Sequence, residues 1–204
     1  DMTSWIKGTS NLTSFGNGYL IAELLQEKGE NDIAKKIVDF SEAININYVS
    51  TIRQKALDLK SSLKKDLSSP FKYLAPTINN LINKLSFQSA KDSDAQINLA
   101  EWYFDNKRYA TGYITLAESI ITYLCELESR DSRIEKNRNE MKDLLHQNKG
   151  TDLFKIYSKV NPIRNAIAHA LLDKKIPSEK LAISSTKEYI KTTKAIFKTG
   201  KLNK

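Results

Sequence analysis

Apolar residues step through this chain by threes and fours, and that spacing constrains its fold more than any other feature. Ile33, Ile37, Phe40, Ile44, Tyr48, Ile52, Ala56, Leu59, Leu63 and Leu67 all fall on one side of a 3.6-residue helix. Seven glycines and four prolines in 204 residues leave few forced breaks. Pro70, Pro76, Pro162 and Pro177 sit where elements are expected to meet. No sustained period-two run bounded by hairpin turns occurs, so no sheet is required. The expectation is an all-α helical bundle with a long helix in its N-terminal half. Residues 31–67 read as one helix, which unbroken would extend about 54 Å, with Asn45 to Asn47 as the place for a kink.

Ser68-Ser69-Pro70 ends that helix, Pro76 suits the first turn of a short helix to Leu85, and the polar stretch 86–94 reads as a surface loop. The chain is thereby divided into an N-terminal helical segment, 1–90, and a helical bundle, 91–204, with one continuous domain as the alternative. In the second part Ile97, Ala100, Trp102, Tyr103 and Phe104 open a hairpin whose second helix, Ala110–Glu128, is apolar on nearly all sides. Its polar stripe, Thr111, Thr115, Glu118, Thr122 and Glu126, is narrow, as expected of a central helix. Residues 97–124 resemble a tetratricopeptide unit with Gly112 at the packing point, but no copy lies about 34 residues to either side, so a single hairpin within a bundle is expected. A charged helix follows from Ser132 to His146, then one from Asp152 to Val160, an Asn161-Pro162 junction with a helix to Leu172, and a last helix from Ser178 to Thr199.

At 40% hydrophobic and 27% charged, the chain can bury an ordinary core. Its longest apolar stretches, Tyr19–Leu25 and Ile120–Leu124, are far shorter than the ~20 residues a membrane-spanning helix needs. One cysteine, Cys125, and two histidines, His146 and His169, cannot build an internal disulfide or a structural zinc site. A cytoplasmic protein with no membrane partner, no metal and no cofactor is the expectation. Asp1 at the start, without a secretion-signal pattern, suggests a processed chain or an excised fragment. The net charge of +8 favours a polyanionic partner. From Asp173 to Lys204 nine lysines face three acids, so +6 of that surplus lies in the tail. Lys180, Lys187, Lys191, Lys194 and Lys198 are expected on one face, opposite Ile183, Ile190 and Phe197. The stripe either guides an RNA backbone or is a solvated amphipathic face.

The segment Asn161-Pro162-Ile163-Arg164-Asn165-Ala166-Ile167-Ala168-His169-Ala170 carries the most chemical information. Asn161 reads as an N-cap and Pro162 as the first helical residue. Arg164 then lies in the first turn beside free backbone N–H groups, a setting that suits a phosphate. Asn165 and His169, four apart, share a face, with Arg164 about 140° round the axis. The alanines leave room for a second helix, so a dimer across this helix is expected. Asp173, one turn on, either holds the imidazole in one tautomer or is a solvated acid. Histidine titrates near neutrality and arginine presents a planar fork of donors, so the two supply proton transfer and charge stabilisation for attack of an RNA 2′-hydroxyl on phosphorus.

Arg164-Asn165, three spacers and His169 resemble the signature of HEPN ribonucleases: arginine, often followed by Asn, Asp or His, then histidine after four to six residues. The hairpin from Leu99 to Leu127, with Glu101-Trp102-Tyr103, Tyr109 and Leu116-Ala117-Glu118, is similar to the effector domain of the CRISPR-associated CARF-HEPN ribonucleases of type III systems. The opening stretch, Asp1-Met2-Thr3 through Leu24-Leu25, resembles the helical segment that follows their sensor domain. The resemblance implies a helical homodimer that cuts single-stranded RNA without a metal, with Arg164, Asn165 and His169 as catalytic residues. It also implies activation by a cyclic oligoadenylate through a Rossmann-like sensor domain, for which this chain has no βαβ periodicity. The competing readings are a non-enzymatic helical interaction module, marked by a buried Arg164 and His169, and the toxin of a HEPN toxin–antitoxin pair. For single residues the structural alternatives are an Arg164 paired with a carboxylate, a satisfied interior His169, a surface His146, a buried Cys125, an Asn165 bonded to backbone, and Trp102, Tyr103 and Tyr109 as packing rings instead of base-stacking platforms.

Overall fold

The computed structural model describes residues 1–64, 67, 70–85, 91–169 and 177–202, with Ser50 described through its backbone alone. Among them there are ten helices and no strand, as the apolar spacing requires. The chain forms two compact units, Asp1–Gln88 and Ser89–Lys204.

In the first unit, α1 (Met2–Phe15) starts at Asp1, whose carboxylate accepts from Thr3 N, and stops at Gly16. Helix α2 (Tyr19–Gln26) packs on α1 and on α3 (Asn31–Asn45). Gly18 lets the α1–α2 turn press onto α3: its N–H donates to Ser41 Oγ at 2.9 Å, and a Cβ there would stand 2.4 Å from Ile37 Cγ2. The long helix expected over 31–67 does not form. The chain reverses after Asn45 and returns as α4 (Val49–Ser62), antiparallel to α3, with Lys36 Nζ donating to Ser62 Oγ at 2.7 Å and Lys55 Nζ 3.8 Å from the Asp39 carboxylate. Asn47 makes the break, adopting the left-handed region (φ 55°), while Tyr48 N–H bonds back to the Ala43 carbonyl at 2.9 Å. That is the geometry of a helix C-terminal cap, for which asparagine is the residue best suited after glycine. Ile46 and Tyr48 consequently lie in solvent, 71% and 58% exposed. Helix α5 (Phe71–Lys84) also differs from expectation: Phe71, not Pro76, opens it, and Pro76 sits inside it on an exposed position. Trp5 and Phe71 rings, 6.1 Å apart, lie in this unit's core with Ile37, Phe40, Ile44 and Ile78.

In the second unit, α6 (Asp92–Asp105) and α7 (Tyr109–Leu127) form the expected hairpin. Its turn repeats the same device, with Lys107 at φ 62° and Arg108 N–H bonded to the Tyr103 carbonyl at 2.8 Å. Gly112 lets the two helices close: a Cβ would stand 2.5 Å from the Phe104 ring. Helix α7 is buried on nearly every side from Gly112 to Cys125 and packs against α6, α8 (Glu135–Gln147), α9 (Asp152–His169) and α10 (Glu179–Thr199). Its polar stripe is partly covered by other elements. Thr115 and Thr122 are buried, and the Glu126 carboxylate accepts from Ser93 N at 2.9 Å at the start of α6, where the helix dipole favours an anion. Helix α10 begins at Ser178, whose hydroxyl accepts from Leu181 N. It is fixed to α7 by Tyr113 Oη donating to the Ala182 carbonyl at 2.6 Å and by Tyr123 stacked on Phe197 at 4.2 Å.

Trp102 and Tyr103, 2% and 0% exposed, are packing residues, with the Arg108 guanidinium 4.8 Å from the Tyr103 ring centre. Cys125 is buried in the same core, and burial pushes its thiol pKa up, so it behaves as a small apolar residue.

Candidate functional site

The helix bearing Arg164 is longer than its sequence suggests. Asn161-Pro162 is not a junction: α9 runs unbroken from Asp152 to His169 with Pro162 inside it. Proline in a helix removes one N–H bond, here the one that the Ser158 carbonyl would have accepted. Pro162 and Ser158 are both exposed, so that carbonyl lies on the solvent side of α9 and the helix continues. Thr151 opens the helix instead, its hydroxyl accepting from Phe154 N at 3.2 Å. Arg164 therefore lies more than three turns from the N-terminus, and the expected setting among free backbone N–H groups is absent.

Another kind of site surrounds Arg164. Its Nη2 donates to Glu118 Oε1 at 3.1 Å and its Nη1 to Asn165 Oδ1 at 3.1 Å. The other oxygen of Glu118 accepts from Arg138 Nη2. Arg138 also donates from Nη1 to Thr122 Oγ1 at 3.2 Å and to the Ser132 carbonyl at 3.1 Å. Helices α7, α8 and α9 thus each contribute one member to an Arg138–Glu118–Arg164 chain with a formal charge of +1. The three side chains are 19%, 34% and 29% exposed, so the cluster lies at the surface but is not freely solvated. Among the described residues Arg164 Nε is buried without a hydrogen-bond partner, which leaves donor capacity unused.

Tyr157, two turns before Arg164 on α9, borders the same cluster. Burial raises its hydroxyl pKa and the Glu118 charge adds to the rise, while Arg164 and Arg138 oppose it. The His146 ring meets Phe154 and Tyr157 edge-on at 5.6 and 6.4 Å, although the residue as a whole is exposed.

Arg164 and Asn165 are brought together. His169 lies in the last turn of α9, exposed, and among the described residues no hydrogen bond joins it to either of them. The expected role of Asp173 falls outside the described residues. Sequence reasoning missed Glu118 and Arg138 as site residues. Glu118 carried a signal, being an acid set among Leu116, Ala117, Ser119 and Ile120 on an otherwise apolar helix; Arg138, in a charged segment, carried none.

The lysines expected to meet RNA also find a definite setting. Lys187, Lys191, Lys194 and Lys198 line one groove of about 1160 Å³ with Phe104, Ile183 and Ile190, and Lys180 is not part of it. Lys194 is committed to Glu101 at 2.6 Å. Ile183 and Ile190 are not opposite the lysines but share their groove, because helix α10 presents its buried face to α6, α7 and α9 at an angle that leaves Ile183 43% exposed.

An all-helical chain, with a carboxylate-bridged arginine pair in one place and a lysine-rimmed groove in another, belongs to the class of basic all-α proteins. Among the described residues no helix is long and apolar enough to cross a membrane. Residues 1–89 match the family model described as CRISPR-associated protein MJ1674, second domain. The chain is 37% identical over 185 residues to CRISPR-associated protein MJ1674 of Methanocaldococcus jannaschii. That similarity covers 86% of the chain, so it extends well into the second unit, and 29% of the relative. The chain therefore spans less than a third of the length of the protein it matches. No solved structure matches it.

Proposed function

We propose that the chain is a ribonuclease part of a CRISPR-associated protein, cutting single-stranded RNA internally without a metal ion. The similarity to a CRISPR-associated protein supports the setting. The observation that carries the chemistry is Arg164, held by Glu118 and Asn165 on the same helix whose last turn exposes His169.

In this scheme the RNA 2′-hydroxyl attacks the adjacent phosphorus, His169 accepts its proton, and the P–O5′ bond breaks. The leaving 5′-oxygen takes up a proton, and a 2′,3′-cyclic phosphate remains. Arg164 steadies the charge that grows on the phosphoryl oxygens, and Asn165 holds the guanidinium in place. One histidine per helix serves one proton transfer, so a homodimer with α9 against α9 supplies the second. Cyclic oligoadenylate reaches this domain through a sensor outside the chain.

Replacing Arg164 or His169 by alanine is expected to abolish cleavage of a single-stranded RNA while the helical circular dichroism stays intact. Unchanged turnover in both variants overturns the proposal. A second reading, a non-enzymatic helical module, is favoured by Glu118 already neutralising much of Arg164. It predicts that neither substitution changes any RNA-directed activity.

A further inference from the structure

The groove between α10 and the end of the α6–α7 hairpin uses none of the residues assigned to cleavage. Ile183, 43% exposed, lines it with apolar surface together with the largely buried Phe104 and Ile190, and Lys107, Lys187, Lys191 and Lys198 line it with charge. Those four lysines are exposed and make no ion pair among the described residues. Two acids share the lining: Glu101 is engaged by Lys194, and Asp105 is the other.

We infer that this groove binds a single strand of RNA along its phosphates, upstream of any cleavage. Five lysines against two carboxylates leave a local charge of +3, which complements a polyanion. Lys187, Lys191 and Lys198 lie along one helix over about 16 Å at the standard rise, so their ammonium groups track an extended backbone and do not surround a compact anion. All the free cations are lysines, which contact phosphate as point charges and read no sequence. The apolar lining favours a single strand over a duplex: unstacked bases have faces to bury there, whereas a duplex keeps its bases stacked inside. The inference extends the ribonuclease reading by naming where the strand lies, but binding at this groove does not require cleavage.

The test is salt-dependent binding of a labelled 2′-O-methyl oligouridylate, which has no free 2′-hydroxyl to react, to the whole chain. With four phosphate contacts the logarithm of affinity falls with the logarithm of salt at a slope of about −2.8, roughly a 50-fold loss between about 50 and 200 mM. Lys187→Gln/Lys191→Gln is expected to halve the slope to about −1.4 and the loss to roughly 7-fold. Lys136→Gln/Lys149→Gln, with the same change in net charge at exposed sites elsewhere, leaves the slope as it was. An unchanged slope in the groove variant, or an equal change in the control pair, overturns the inference. So does equally tight binding of duplex RNA, or displacement of the probe by polyglutamate at matched charge. An unchanged slope together with Arg164-dependent cleavage defeats the groove alone. A halved slope with Arg164-independent cleavage defeats the catalytic assignment alone.

Discussion

Removing the Glu118 carboxylate tests whether three helices are tied together by charge. Among the described residues Glu118 is the one anion paired with both Arg138 and Arg164, so Glu118→Ala removes two ion pairs and leaves two guanidiniums facing each other. Both pairs are about a third exposed at the carboxylate, which places each near the upper end of the surface range, about 1 kcal/mol. Two guanidiniums that share one carboxylate are taken as roughly 6 Å apart for the Coulomb arithmetic. Their unrelieved repulsion is about 0.7 kcal/mol in water and roughly 2.8 kcal/mol at an effective dielectric of 20. Thr122 and the Ser132 carbonyl still receive Arg138, and solvent reaches Arg164, so the lower end applies. The expected destabilisation is about 2–3 kcal/mol, lowering the melting temperature by roughly 8–12 °C for a unit of this size. Arg164→Ala is expected to cost less, about 1 kcal/mol, because Glu118 keeps Arg138. Thermal and urea denaturation of the two single variants and of the double variant measure this directly. In the double variant the loss should be smaller than the sum, since one arginine no longer repels the other. Equal losses for Glu118→Ala and Arg164→Ala, or strict additivity, refute the shared-carboxylate argument.

Asn47→Val places a β-branched residue at φ 55° and is expected to destabilise the first unit by about 1–2 kcal/mol, and by more than Asn47→Gly, which keeps the backbone conformation accessible; urea midpoints of both variants check this. Stability should also fall in alkali. Burial raises the pKa values of Tyr103, Tyr113, Tyr157 and Cys125 in the fold, so as pH rises the unfolded chain loses these protons first. The stabilisation is complete below the ordinary thiol and phenol range and is lost above it, so the urea midpoint should hold to about pH 8 and decline from about pH 9 upward. A midpoint that is flat or rising over that interval contradicts the buried placement of these groups.

The chain's local chemistry was legible residue by residue. Apolar steps of three and four defined the helical class, Gly112 marked where α6 and α7 close, and Ser178 marked the start of α10, because each of these is decided within a few residues of itself. The Arg164–Asn165 contact was not legible in this way, because neighbouring residues on a helix do not face each other and only the long arginine side chain brings them together. Only the tertiary structure decided the rest. The same apolar spacing fits a straight 31–67 helix and a hairpin, and the hairpin forms because folding α4 back onto α3 buries Ile37, Phe40 and Ile52 in one core while Asn47 tolerates the reversal. Pro162 stays helical because the carbonyl it orphans faces water, a matter of which side of α9 packs. Glu118 meets two arginines that lie 20 and 46 positions away, and Lys194 meets Glu101 at a separation of 93. Periodicity reports which face of a helix is apolar; which distant charges meet across it depends on the packing of the helices, and that is set by the whole core at once.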